Sequence, residues 1–212
     1  AILPVPYWVS FEEMIKLADA KAVFCKTDEN FKLTAEAVEE KISNKTKMLI
    51  LNSPSNPSGA IVEPSEVAKI AKLAVERNFY VVSDEVYEFF VYGNKSRVSI
   101  ASLNDDIKNL TITANSVSKT YAMTGWRIGY CGANKGIIKS MENLQGHSTG
   151  NPSNTAQMAA LEAISGPQDS VKQMVRAFDE RRKFMHKRLN EMKGISCIEP
   201  EGAFYAFPDI SG

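Results

Sequence analysis

The chain has 212 residues, 44% hydrophobic and 24% charged, enough for one domain with a sizeable core and part of a second. Its 25 basic and 25 acidic residues cancel, so no net field draws it to nucleic acid or an anionic membrane. No apolar run approaches the roughly 20 residues that span a bilayer, and the odd, scattered Cys25, Cys131 and Cys197 read as small apolar residues in a reducing, cytoplasmic setting.

Ile2 to Pro6 reads as a short buried strand ended by its prolines. Ser10 to Ala20 reads as an amphipathic helix, with Ser10 and Glu13 as a capping box and Phe11, Met14, Ile15 and Ala18 on one face. A strand over Ala22 to Cys25 and a helix over Thr34 to Ile42, capped by Thr34, follow. Lys47 to Leu51 is a continuous apolar strand that runs into a turn-rich loop, Asn52 to Gly59. Pro64 to Arg77 has proline in its first turn and Val67, Ile70, Ala71 and Ala74 at helical spacing. Phe79 to Ser83 is another buried strand, opening into Asp84-Glu85-Val86-Tyr87. Val98 to Leu103 reads as a turn of helix before a strand at Leu110. This alternation predicts an α/β fold with a mostly parallel sheet flanked by helices.

After Cys131 the pattern turns helical: Lys135 to Gln145, Asn154 to Ser165, and a long stretch over Gln168 to Lys193. In that last helix Val171, Met174, Val175, Phe178, Phe184, Met185 and Leu189 form one stripe. Two β runs close the chain, Ser196 to Glu199 and Ala203 to Phe207. A boundary near the long helix divides the chain into residues 1–170, a large domain, and 171–212, the interdomain helix and the start of a smaller α+β domain. The basic run Arg181-Arg182-Lys183 reads as a solvated helix face, and His147 and His186 as surface or capping residues.

The stretch from Asn109 to Tyr130 carries the chemistry. A β-branched run leads into a small polar turn holding Lys119, and a second β run follows from Trp126 to Cys131. The link is too short for a parallel crossover, so the second run pairs antiparallel. Lys119 then leaves one strand where Arg127 enters its neighbour, and both lie on one edge of the sheet. An amine and a guanidinium there suit a ligand with an electrophilic carbon and a phosphate.

S-x-S-K, followed eight residues later by Arg127 in G-W-R-I-G, resembles the lysine segment of the class I/II aminotransferases of fold type I, closest to their aspartate aminotransferase-like branch. These enzymes bind pyridoxal 5′-phosphate (PLP). The resemblance implies that Lys119 is the Schiff-base and catalytic lysine and that Ser116, Ser118 and Arg127 hold the phosphate. D-E-V-Y matches the family and makes Asp84 the partner of the ring nitrogen. Asn56, in N-P-S-G, resembles the asparagine that donates to the ring's phenolic oxygen, with Tyr87 as second donor. Trp8, in P-Y-W, resembles the aromatic that stacks on the ring. Taken singly, Asp84 could be a turn or capping residue, Asn56 a loop-shaping residue and Trp8 a core aromatic.

The resemblance implies transamination of an amino acid with a 2-oxo acid, aspartate with 2-oxoglutarate, through a lysine Schiff base. Asn151-Pro152-Ser153 corresponds to a region that approaches the neighbouring subunit's site, which points to a homodimer. It implies two further parts outside these residues: a glycine-rich phosphate loop before them and, after them, an arginine for the substrate α-carboxylate. The chain, which starts without Met inside an apolar stretch, reads as an internal piece. A PLP lyase, synthase or decarboxylase of the same fold, and a non-catalytic fragment, are the competing readings.

Overall fold

The computed structural model describes residues 1–212. Its central sheet has six strands: Ile2–Val5 (β1), Val23–Lys26 (β2), Met48–Asn52 (β3), Tyr80–Asp84 (β4), Thr111–Ser116 (β5) and Gly129–Gly132 (β6). They lie in the order β2-β1-β3-β4-β5-β6. The first five are parallel, and β6 runs antiparallel to β5 with Ser116 opposite Gly129. The mostly parallel α/β sheet and the antiparallel last pair are both as the sequence predicts.

The register decides which side chains meet. Asn52 is opposite Asp84, and Asp84 is opposite Ala114. Side chains alternate across a strand, so these three share a face with Ile50 and Val82. The other face carries Leu49, Leu51 and Val81, buried in a cluster of 16 residues under helices Ala35–Glu39 (α2), Pro64–Arg77 (α3) and Asp105–Leu110 (α4). In α3, Pro64 occupies the first turn, where no backbone N–H is needed. Val67, Ile70, Ala71 and Ala74 form its buried stripe, and left-handed Asn78 ends it. Burying each Val or Ile there stabilises the fold by about 1.5–3 kcal/mol.

On the site face, Leu3 and Ile50 pack with Phe11 and Ile15 of helix Ser10–Leu17 (α1). The capping box is absent. Val9 takes the N-cap position with helical angles and no side-chain bond, and Glu13 instead pairs with Lys16 at 2.9 Å. Ser10 is thus already inside the helix and cannot cap it, and Met14 is 52% exposed rather than core. The turn expected at Val98 to Leu103 is present as a 3-10 turn at Ile100–Ser102, but α4 after it was not expected. Asn104 caps α4 by accepting from the Ile107 N–H at 3.1 Å, and two acids fill its first turn. Leu110 therefore ends a helix rather than beginning β5.

The Lys119 turn is a short helix, Val117–Thr120 (α5). The second β run starts later than expected. Trp126 closes a 3-10 turn and Arg127 is left-handed (φ 56°), so the strand begins at Gly129. Helices Lys135–Ser148 (α6), Asn154–Ser165 (α7) and Asp169–Asn190 (α8) follow. Only the first half of the α8 stripe is covered: Val171 is buried, and Met174, Val175 and Phe178 pack around Tyr87 and Phe90, whereas Phe184 is 62% exposed.

Arg182 is not solvated. It pairs with Asp179 and Glu199, donates to the Pro200 carbonyl and lies over the Tyr92 ring. Its neighbours in the basic run point outward because a helix turns them away from that contact. The final sheet is only Ser196–Cys197 (β7) against Pro208–Asp209 (β8). Ala203 to Phe207 is not a strand. Loops take the backbone at its start: Gly59 O accepts from the preceding Glu201 and Gly202 N–H, and Phe90 O from Ala203 N–H. Cys25 and Cys197 are buried and Cys131 is half-buried, all three as free thiols.

Candidate active site

Parallel sheets bind ligands beyond the carboxyl ends of their strands, and here three loops leave that edge together. β3 ends at Asn52, β4 at Asp84 and β5 at Ser116. They surround one cavity of about 520 Å³ that Trp8, Asn56, Asp84, Tyr87, Ser116, Ser118, Lys119 and Arg127 all line. Every site residue singled out in the sequence therefore opens on the same space.

Asp84 sits at the end of an apolar strand. Burial raises its carboxyl above the usual range, the Val86 N–H at 3.2 Å works in the opposite direction, and the neighbouring Glu85 charge raises it further. The hydrogen bond shows that Asp84 does shape the turn. A carboxylate pushed up by burial with no cation paired to it is also a ready partner for a positive group in the cavity. Asn52 supports it from β3, donating from Nδ2 to the Asp84 carbonyl at 3.2 Å. The same side chain accepts the Asn56 N–H through Oδ1 at 2.8 Å, which fixes the N-P-S-G loop beside Asp84.

Tyr87 is 3% exposed. Burial raises its phenol, a hydrogen bond to the Tyr205 hydroxyl and the Asp84 charge raise it further, and Asn56 works in the opposite direction. Tyr87 is thus a neutral hydrogen-bond donor at any ordinary pH.

Ser116 caps α5, its Oγ accepting the Ser118 N–H at 3.0 Å, while Asn115 Oδ1 accepts the Ser116 N–H at 2.8 Å. These bonds set the direction in which Lys119 leaves the turn. The Lys119 ammonium forms no salt bridge and lies over the Phe204 ring, 5.7 Å from its centroid. Arg127 is exposed and donates to the Thr124 carbonyl at 2.7 Å, leaving most of its fork free. Trp8 is 41% exposed and meets Phe11 edge to face at 5.4 Å, so it is a wall of the cavity rather than part of the core.

The sequence reading missed Asn52, Asn115 and Tyr205, which line the same cavity. A polar residue closing an apolar strand was the available signal for the two asparagines, as it was for Asp84. Tyr205 lay inside a run read as a strand and carried no signal.

A model of the family described as aminotransferase class I and II matches residues 1–212. The chain belongs to that family. It is similar to an aspartate aminotransferase of Bacillus sp. (strain YM-2), 45% identical across 99% of this chain and 54% of that protein. In three dimensions it matches an aspartate aminotransferase from Rhizobium meliloti with a TM-score of 0.95 at 39% identity, covering 100% of this chain and 54% of that one. It also matches an aromatic aminotransferase from Pyrococcus horikoshii, with a TM-score of 0.94 at 40% identity, covering 98% and 56%. The chain thus spans about half the length of the relatives it matches.

The family's cofactor is PLP, and the cavity suits it. Asp84, raised by burial, is matched to a ring cation, Lys119 is an amine outside any ion pair, and Arg127 with two serine hydroxyls is a donor set for phosphate. No helix is long and apolar enough to cross a membrane.

Proposed function

We propose that the chain forms the cofactor-holding part of a PLP-dependent aminotransferase acting on L-aspartate with 2-oxoglutarate. Three loops that open one amine, one acid and one guanidinium onto a single cavity carry this reading. When bound, PLP supplies an electron-withdrawing ring that stabilises negative charge at the substrate α-carbon.

Each side chain then has its own task. Lys119 would hold the cofactor through its amine and, with that amine free, would move the proton at the substrate α-carbon. Asp84 keeps the ring nitrogen protonated by direct attraction. Ser116, Ser118 and Arg127 fix the phosphate, the arginine with a bidentate fork. Asn56 and Tyr87 donate to the ring's phenolic oxygen, and Trp8 covers one ring face.

The large-domain part is residues 1–170, and residues 171–212 begin the smaller domain; β7 and β8, separate from the six-stranded sheet, support that division. Exposed Met141, Leu144, Met158, Leu161 and Ile164 on α6 and α7 support a homodimer. Three free thiols fit a cytoplasmic enzyme.

Addition of L-aspartate to the PLP-loaded chain, without acceptor, tests the reading. The expected result is loss of visible absorbance with stoichiometric oxaloacetate. Release of carbon dioxide or ammonia instead would establish a decarboxylase or lyase on the same scaffold.

A further inference from the structure

We infer that Tyr205 is a positioning residue that acts through Tyr87, donating its phenol proton to the Tyr87 oxygen so that Tyr87 can turn its own proton into the cavity. This rests on the reading of the cavity as a PLP site.

Four contacts fix where Tyr205 stands. The Glu201 and Gly202 N–H groups donate to Gly59 O at 3.0 and 2.8 Å, and the Ala203 N–H donates to Phe90 O at 2.9 Å. The Tyr92 hydroxyl donates to the Ala203 carbonyl. Phe204, the next residue, is wedged against Phe178, Phe90 and Tyr87 with ring centroids 5.1–5.2 Å apart. The segment therefore delivers Tyr205 to the cavity wall at a set position, its ring edge to face with Tyr87 at 5.5 Å and 82°.

The chemistry follows from proton count. A phenol has one proton to donate and can still accept. The two hydroxyls are hydrogen-bonded, and geometry allows either to be the donor. If Tyr87 donates to Tyr205, it has nothing to offer a ligand oxygen. If Tyr205 donates to Tyr87, the Tyr87 proton is free, and accepting one bond strengthens the bond it gives. A ligand with an anionic or strongly accepting ring oxygen selects the second arrangement. Tyr205 thus strengthens a donor that is itself almost wholly buried, without needing to touch that oxygen.

The test is equilibrium binding of two ligands, PLP and 3-deoxypyridoxal 5′-phosphate, which lacks the ring oxygen. Wild type, Tyr205→Phe and Tyr92→Phe are compared, the last loosening the same segment from outside the cavity. Tyr205→Phe is expected to weaken PLP by about 3- to 10-fold, the loss of one hydrogen bond's net contribution, and to leave the deoxy analogue unchanged. Tyr92→Phe is expected to show no such difference between ligands. Equal weakening of both ligands by Tyr205→Phe, or no weakening of either while wild type binds both, overturns the inference and leaves the site reading intact. Failure of wild type to bind either ligand overturns both.

Discussion

Lys119 and Phe204 come from distant parts of the chain, yet the lysine ammonium lies over the phenyl ring at 5.7 Å from its centroid. Such a contact contributes about 0.5–1 kcal/mol at a partly exposed site, small enough for a ligand to displace. The ring holds the amine near the cavity without neutralising it, whereas a carboxylate partner would compete for its charge.

Lys119→Ala is accordingly expected to fold with almost unchanged stability. It should lose the visible absorbance of the lysine-bound cofactor and at least about 10³-fold in activity, as removal of a covalent and proton-transferring group does. An absorbance spectrum and a thermal melt together check this. A mutant that keeps the visible band contradicts the assignment.

Asp84 gives a stability prediction of opposite sign to its function. Burial raises its carboxyl in the folded chain above the ordinary value of 3.8. A raised carboxyl contributes stability that is fully present below the unfolded value and is lost as pH rises through the folded one. In the cofactor-free protein at neutral pH, ionised Asp84 therefore opposes folding. Asp84→Asn should raise the melting temperature of the cofactor-free protein at pH 7 and leave little difference below about pH 3.8. It should also weaken PLP binding by about tenfold or more, since a charge-assisted bond is lost. Melts at two pH values and a binding titration read both effects.

Arg97 joins two carboxylates that sit behind the cavity. It donates to Glu85 Oε2 at 2.8 Å and also pairs with Glu88, which accepts from Asn115. Glu85 is 4% exposed and further accepts from Ser83 and Ser99 at 2.9 and 2.6 Å. Arg97→Met leaves that buried charge without a cation and should cost about 3 kcal/mol. Adding Glu85→Gln should recover much of the loss. Urea denaturation of the single and double variants measures the coupling, and additive effects would show that the pair is not one unit.

Gly59 ties the N-P-S-G loop to the segment bearing Tyr205. Its φ is +71°, and a Cβ there would lie 2.6 Å from Pro200 Cβ and 2.9 Å from Gly202 O. Gly59→Ala should therefore destabilise by roughly 2–4 kcal/mol, from left-handed strain and overpacking together. Gly93 has a similar φ of +61° but open space around it. Gly93→Ala should cost only about 1 kcal/mol. Equal costs in chemical denaturation would mean that the close approach at Gly59 is easily relieved.

Elements whose cause is local were legible in the residues alone. α3 runs from Pro64 to Arg77 as its proline and periodic apolar stripe require, and the short link after Lys119 forced β6 to run back beside β5. The same reading put Lys119 and Arg127 on one sheet edge, and the family pattern singled out Asp84, Asn56 and Tyr87. What depends on segments meeting across the chain was not. The α8 stripe is continuous in sequence, yet Phe204 packs on its first half while Phe184 and Met185 stay exposed. Arg182 reads as one of three exposed cations until Tyr92 and Glu199 close over it. Ala203 to Phe207 has the composition of a strand, yet Ala203 bonds to Phe90 in a loop, and the segment brings Tyr205 to Tyr87. Periodicity records which face of an element is apolar; it does not record which distant surface arrives to cover that face.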